Sequence, residues 1–281
     1  MLGPIKPSEI QSLAPLPLSV VRLAELVSDP NSETDAFVGV IKFDQALTAN
    51  VLRWANSAWS QSRTPIENVR DAVIRLGSEN ILKLAIGYHL MKPMKQGNRG
   101  YSLTENELWR HSVAAALAAE SLSHFAKVPI PPAAFTGALI HDIGKLVLGR
   151  HLGTDNLKDA IQHAMEDKNL TYIQAEREIT GTDHAEVGAA IAREWKIPEP
   201  LVKAIAFHHE PEREPDVVLD AVHIGNAVAK LVGQGLGTEQ YRMEVSGHSA
   251  ERLGLTEEAI QALCAEVVVS LEKTEKQWET R

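Results

Sequence analysis

The sequence predicts an all-α fold, and three observations support that prediction. Apolar residues recur at helical spacing through most of the 281-residue chain, and no segment sustains the period-two alternation of a half-buried strand. Proline and glycine separate the periodic segments. Hydrophobic residues make up 44% of the chain but aromatic residues only 5%. The apolar content is therefore mainly alanine and aliphatic side chains, which pack well between helices.

Five helices are predicted in the N-terminal half. The first lies between the prolines at positions 17 and 30, and the others lie at about 35–44, 46–58, 66–76 and 79–91. The stretch 92–102, with Pro93, two glycines and three basic residues, is the predicted linker. We therefore expect an N-terminal helical bundle over residues 1–95 and a second helical domain over residues 103–281.

Further helices are predicted along the C-terminal half. They lie at about 104–126, 133–151, 156–167, 171–179, 184–195, 200–209, 217–232 and 256–277. Pro200 at a helix start and Pro211 just after a helix end agree with the positions that proline tolerates.

Charge and composition exclude several classes of function. The formal net charge of −9 is spread along the chain without long blocks of one sign. Nucleic acids and anionic membranes select clustered lysine and arginine, so we expect neither as a partner. No basic segment followed by an apolar one opens the chain, and no apolar run approaches the roughly 20 residues of a membrane span. A cytoplasmic protein is expected, and its single cysteine, Cys264, excludes an intrachain disulfide.

Five of the eleven histidines lie on apolar helix faces. The first shares a face with residues 115, 118 and 122, and the second shares one with residues 134 and 138. Such faces turn toward a core, and an aspartate directly follows the second histidine. The resulting set is His111, His141, Asp142, His184, His208 and His209.

Imidazoles and a carboxylate that converge in a core form a site suited to a transition metal. Taken singly, each histidine is more often a hydrogen-bonded core or surface residue. A mononuclear site needs three or four of these groups, and a dinuclear site needs nearly all of them. His208 and His209 point about 100° apart on a helix. Both can therefore face one site only near the helix end.

Several short runs resemble one known family. The run HDIGK at 141–145 is similar to the motif of the HD superfamily of metal-dependent phosphohydrolases. WRHS at 109–112 lies upstream of it, and DHAEVG at 183–188 and HHEP at 208–211 lie downstream, in the order typical of HDOD domains. The N-terminal half matches HDOD as well, through FDQALT at 43–48, LRWANSA at 52–58 and AVIRLG at 72–77. The resemblance to the HDOD (HD-related output domain) family covers roughly residues 13–232.

The resemblance implies a fold and a site. The fold is an N-terminal helical bundle packed on an HD-like helical core. The site holds one or two divalent or transition metal ions, with Fe, Mn, Zn and Mg as candidates. The ligands that the resemblance implies are His111, His141, Asp142, His184, His208 and His209, and the candidate catalytic residues are Asp142 and Lys145.

Asn226 lies where catalytic HD enzymes carry their final metal-binding aspartate. A neutral amide oxygen is a weaker ligand than a carboxylate and cannot act as a base. We therefore expect lower metal affinity and weaker activation of a bound water. Lys145 is expected either to hold a phosphate or to pair with Asp142, with a solvated helix-face lysine as the alternative.

Two carboxylates near His184 are candidates to orient its ring. Glu178 and Asp183 precede this histidine in sequence, and carboxylates often accept the second N–H of a metal-bound imidazole. Capping and solvation of the helix ends account for both residues equally well.

The resemblance implies a bacterial signalling role, and our leading hypothesis is an output or regulatory module. Such a module acts through a signalling protein partner or a small phosphorylated ligand. The alternative is an active metal-dependent phosphohydrolase for a nucleotide or another phosphoester, and a third hypothesis is a structural adaptor that binds no metal. The Gly-Tyr-Pro element of cyclic-di-GMP phosphodiesterases is missing after His209, so that activity is not expected.

Overall fold

The computed structural model describes residues 16–57, 65–153, 157–235, 237 and 245–279. In these ranges the all-α prediction is confirmed, since the one β-feature is an isolated bridge between Asn98 and Leu103. No helix in the described ranges is both long and apolar enough to cross a membrane. Numbered in chain order, the α-helices are α1 (Leu18–Ser28), α2 (Thr34–Ile41), α3 (Gln45–Ala55), α4 (Val69–Leu76), α5 (Ser78–Lys95), α6 (Glu107–Ser121), α7 (Ala133–Ile140), α8 (Lys145–Leu152), α9 (Leu157–Lys168), α10 (Tyr172–Thr180), α11 (His184–Glu194), α12 (Glu199–Phe207), α13 (Val217–Leu231), α14 (Gly247–Leu253) and α15 (Glu257–Glu279).

The chain divides into two compact units. Among the described residues, one unit consists of those within Pro15–Leu90 and Trp195–Pro198, and the other of those within Met91–Glu194 and Glu199–Arg281. The division falls inside α5, and the domain bounds at 95 and 103 stay a prediction. The end of the third predicted helix, at 58, lies outside the described residues.

The smaller unit contains α1 to α4 and has its own apolar core. Leu23, Ile41 and Val51 have no exposed surface. Asp44 begins α3 by accepting a hydrogen bond from the backbone N–H of Leu47 at 2.9 Å, as a helix N-cap residue does.

In the larger unit, α6 packs against α7, α13 and α15. The alanines of α6 at 114–116, 118 and 119 are fully buried. Their small side chains allow a close approach of the neighbouring helix. At Gly225 of α13, a Cβ atom would lie only 2.6 Å from the carbonyl oxygen of Ala115.

The single helix predicted over 133–151 is wrong, because the structure interrupts it between α7 and α8. In the interruption, the N–H of Lys145 donates to the carbonyl oxygen of Asp142 at 3.0 Å, which is a three-residue turn. Three-residue hydrogen bonds of this kind also link Ile143 to Ile140 and Leu146 to Ile143, in place of the four-residue bonds of an α-helix. Here the backbone of Gly144 lies against the start of α11. A Cβ atom on Gly144 would lie 1.9 Å from the carbonyl oxygen of His184, so only glycine fits here.

Candidate metal centre

The first histidine pair joins α6 to the turn that follows α7. The Nδ1 atom of His111 lies 3.1 Å from the carbonyl oxygen of Gln234, and that of His141 lies 2.7 Å from the carbonyl oxygen of Ala138. A carbonyl oxygen only accepts, so we assign the ring proton to Nδ1 in both histidines. Their Nε2 atoms lie 3.2 Å apart and therefore direct lone pairs at each other.

Three histidines from α11 and from the end of α12 form a second group. The Nδ1–H groups of His184 and His208 donate at 2.7 Å, to the Glu176 carboxylate and to the carbonyl oxygen of Ile205 respectively. The Nε2 atoms of His184 and His209 lie 2.9 Å apart. Because α12 ends at Phe207, the neighbouring rings of His208 and His209 converge, with centroids 4.1 Å apart.

Asp142 lies between the two groups. Its Oδ2 atom is 3.4 Å from Nε2 of His111 and 3.3 Å from Nε2 of His141. Its Oδ1 atom is 3.4 Å from Nε2 of His184 and 3.7 Å from Nε2 of His208. One carboxylate thus presents one oxygen to each group.

The arrangement fits metal ions. Within each group, His111–His141–Asp142 and His184–His208–His209, the candidate ligand atoms lie within 4.8 Å of one another. Oδ1 of Asp142 and Nε2 of His208 are buried and have no hydrogen-bond partner among the described residues. Buried acceptors without a donor cost about 1–3 kcal/mol each. Cations among these atoms would satisfy them, and imidazole with carboxylate is a donor set that Zn, Fe and Mn accept.

The protonation of the clustered histidines and of Asp142 also favours a metal site. Burial lowers the pKa of His111 to about 3 and lowers the pKa of both His208 and His209 well below the usual range, so these rings are neutral and can offer lone pairs to a metal ion. Burial raises the pKa of Asp142, but His141, Lys145 and His184 together hold that pKa well below its ordinary value.

His184 differs from His111, His208 and His209. Burial lowers its pKa, but the Glu176 carboxylate outweighs burial and raises the pKa above the ordinary value. A proton on Nε2 of His184 would occupy the position of a metal ion, so the two would compete for this nitrogen.

Buried polar residues behind the ligands orient them. The Lys145 ammonium, with its side chain almost fully buried, donates to Oδ2 of Asp142 at 2.8 Å, so this lysine pairs with the aspartate and is not a solvated surface residue. Glu176 is fully buried and accepts a second hydrogen bond from the backbone N–H of His184 at 3.0 Å. Its other oxygen accepts from the hydroxyl of Tyr101 at 2.5 Å.

Sequence reasoning missed Glu176 and Tyr101. The structure places Glu178 elsewhere, because its carboxylate pairs with Lys168 on the surface. Asp183 pairs with Arg177 and accepts the backbone N–H of Glu186, but it does not hold the His184 ring. The helix spacing contained a weak signal for Glu176, which lies on the buried face of α10 with Tyr172 and Ile173.

A cavity of about 390 Å³ opens beside the second group. Its lining includes His209, Asn226 and Lys230, together with Gln174 and Ser246. Asn226 is buried on α13, and its amide oxygen has no partner among the described residues. The cavity is large enough for a small organic ligand next to the histidine cluster.

Residues 13–211 match the HDOD domain. This chain belongs to the HDOD family. The match extends from the first predicted half into the second, and it contains all six candidate ligands, four of them upstream of the HHEP run and two in the His208–His209 pair.

Several solved structures share the fold of this chain. An HDOD domain protein of unknown function from Geobacter sulfurreducens is 24% identical, with a TM-score of 0.66, and the match covers 96% of this chain and 92% of that one. A candidate signal transduction protein from Marinobacter aquaeolei VT8 is 23% identical, with a TM-score of 0.72, over 98% of this chain and 61% of that one. A candidate phosphohydrolase from Shewanella amazonensis SB2B is 23% identical, with a TM-score of 0.58, over 92% and 97% of the two chains.

A relative is also found among the curated proteins. An uncharacterized protein of Treponema pallidum (strain Nichols) is 24% identical over 216 residues, which are 74% of this chain. The matched part spans 39% of that protein's length. At this level of identity, the solved structures define the fold that the chain shares with them.

Proposed function

We propose that this chain is an HDOD signalling module whose histidine–aspartate centre holds two divalent or transition metal ions, with Asp142 shared between them. The first position would use His111 and His141. The second would use three histidines, His184, His208 and His209. The module acts through a signalling protein partner or a small phosphorylated ligand.

One observation carries this proposal. Oδ1 of Asp142 and Nε2 of His208 are buried acceptors without a donor among the described residues, and each oxygen of Asp142 faces a different pair of Nε2 atoms. A centre that served only to hydrogen-bond the core would alternate donors with acceptors. Here, acceptors face acceptors, and cations are what such a set requires.

Bound ions would supply Lewis acidity and hold the centre together. The chain's own contribution is to fix the ligands. Backbone carbonyls and Glu176 hold the Nδ1–H groups, which directs the Nε2 lone pairs inward. Lys145 neutralises Asp142 before metal binds.

The test is elemental analysis of freshly purified, untagged protein beside His141→Ala. We expect about two metal ions per chain in the wild type and at most one in the variant, because the first position loses a ligand. His163→Ala is the matched control, since His163 is exposed and its Nδ1–H donates to the carbonyl oxygen of Asp159 in its own helix. Equal metal content in all three proteins would contradict the proposal.

A metal-dependent phosphohydrolase is the second candidate function, and the cavity beside His209 is the observation that favours it. A phosphoester bound there would lie next to the ligands of the second position. Turnover of a phosphoester panel with Mn, Fe, Mg or Zn, lost in Asp142→Ala, would support catalysis. If the wild type hydrolysed no substrate faster than Asp142→Ala with any of these metals, the regulatory module would stand as the function.

A further inference from the structure

His209 is held differently from the other histidines of the centre. The Nδ1 atoms of the other four each have a carbonyl or carboxylate partner. Among the described residues, the ring of His209 makes one polar contact, from its Nε2 atom to Nε2 of His184 at 2.9 Å. It also lies in the turn after α12 and is only partly buried. The position of His209 must therefore come from the backbone beside it.

Arg177 fixes that backbone. Its Nη2 atom donates to Oε2 of Glu210, the residue after His209, at 2.7 Å. Its Nε atom donates to Oδ2 of Asp183, the residue before His184, at 2.5 Å. The Arg177 guanidinium on α10 therefore joins the segment before His184 to the segment after His209.

Asp183 is itself firmly placed. Its side chain is fully buried, and its Oδ1 atom accepts the backbone N–H of Glu186 at 2.8 Å in the first turn of α11. A buried carboxylate needs a paired cation, and removing that cation is strongly destabilising to the local arrangement. The ion pair with Asp183 thus holds the Arg177 guanidinium in place, and the same guanidinium contacts Glu210.

We propose that Arg177 is a positioning residue that sets His209 against His184 and thereby determines the affinity of the second metal position. This inference rests on the proposed function. The two Nε2 lone pairs lie 2.9 Å apart, and they repel each other unless a cation or a proton lies between them. The guanidinium suits this role because it donates from several nitrogens in a fixed plane, whereas a lysine ammonium is a single point charge.

The chain offers a matched control on the same carboxylate. Arg213 also contacts Oε2 of Glu210, at 3.2 Å, but it lies three residues further along the same loop and is 55% exposed. It therefore adds positive charge beside Glu210 without joining the loop to α10. Comparing Arg177→Gln with Arg213→Gln separates the bridge between segments from the charge.

The experiment is a Co²⁺ titration of chelator-treated protein, followed by calorimetry and by the visible absorption of bound cobalt. The wild type is expected to bind two ions. In Arg177→Gln, the first affinity should be unchanged, and the second should be about 10–100-fold weaker, as is typical when an outer-shell partner is removed. Glu210→Gln should show the same selective loss, Arg177→Lys a smaller one, and Arg213→Gln none.

The outcomes separate this inference from the proposed function. Circular dichroism checks that each variant is folded, and if Arg177→Gln is not, Glu210→Gln carries the test because it keeps the Arg177–Asp183 pair. If Arg177→Gln weakened both metal affinities equally, or did not differ from Arg213→Gln, the role of Arg177 would be overturned and the two-ion centre would stand. A wild type that binds no second ion would overturn the two-ion centre, and this inference with it.

Discussion

The two halves of the candidate metal centre are held by different means. At the first position, both Nδ1–H groups end on backbone carbonyls, and His111 and His141 are almost completely buried. At the second position, His184 depends on the Glu176 carboxylate, and His209 depends on its loop. The backbone thus holds both histidine rings of the first position, whereas in the second position it holds the ring of His208, and side chains orient or position the other two. Substitutions outside the ligand set should therefore affect the second position first.

The largest expected effect comes from the residue that the halves share. Asp142→Asn keeps the shape of the side chain but removes the anionic oxygens, so both metal positions should be lost. Without metal, the Lys145 ammonium would lie buried beside a neutral amide, and breaking a buried pair typically costs about 3–5 kcal/mol of unfolding free energy. Urea unfolding with a chelator present measures this loss.

The double variant Asp142→Asn/Lys145→Met is its control. It removes both charges, so much of the unfolding free energy should return while metal binding stays absent. If the unfolding free energy of the double variant were instead lower than that of Asp142→Asn, removing Lys145 would have given no relief. Lys145 would then not be the counter-ion that its 2.8 Å contact with Asp142 indicates.

Glu176→Gln tests the second half of the centre separately from the first. The amide keeps the side-chain volume, but it loses the charge that holds the Nδ1–H of His184 and the hydroxyl of Tyr101. We expect the second metal affinity to fall by about 10–100-fold with the first unchanged. Two-site calorimetric titration measures both, and a loss at the first position would show that the halves are not independent.

The smallest expected effect concerns His223, which supports only the second half. Its Nδ1–H donates to the carbonyl oxygen of His208 at 2.7 Å, and its Nε2 accepts the N–H of Ser246 at 2.9 Å. Burial lowers the pKa of His223, and the bond to His208 opposes this only in part. The folded protein therefore binds a proton at His223 less readily than the unfolded chain does.

The sign of the pH dependence follows from this difference. The contribution of His223 to stability is fully present above the ordinary histidine pKa of 6.5 and is lost as the pH falls through the lower folded value. His223→Gln keeps a donor and an acceptor but does not titrate. Below pH 6.5, the unfolding free energy of the wild type should fall more steeply than that of the variant, by up to about 1.4 kcal/mol per pH unit. Parallel curves would exclude titration of His223.

Sequence reasoning found the residues that cluster in the candidate centre because helical spacing indicates which faces turn inward. His111 and His184 were predicted on apolar faces, and both are buried in the cluster; their role as metal ligands stays a prediction. It missed the interruption between α7 and α8, because a turn with nearly helical spacing leaves no trace in hydrophobic periodicity. It named Glu178 and Asp183, which are near His184 in sequence, as candidates to orient the ring, with helix capping and solvation as an equal alternative, whereas the ring is held by Glu176.

The sequence by itself determined the helical fold class, the family, and the residue types that converge in the centre, because periodicity and short motifs are local properties. Only the tertiary structure decided how those residues are divided between two positions. That division depends on which carbonyl or carboxylate meets each Nδ1–H and on the single arginine that spans the segments before His184 and after His209. Such contacts join residues far apart in the chain, and only packing brings them within hydrogen-bonding distance.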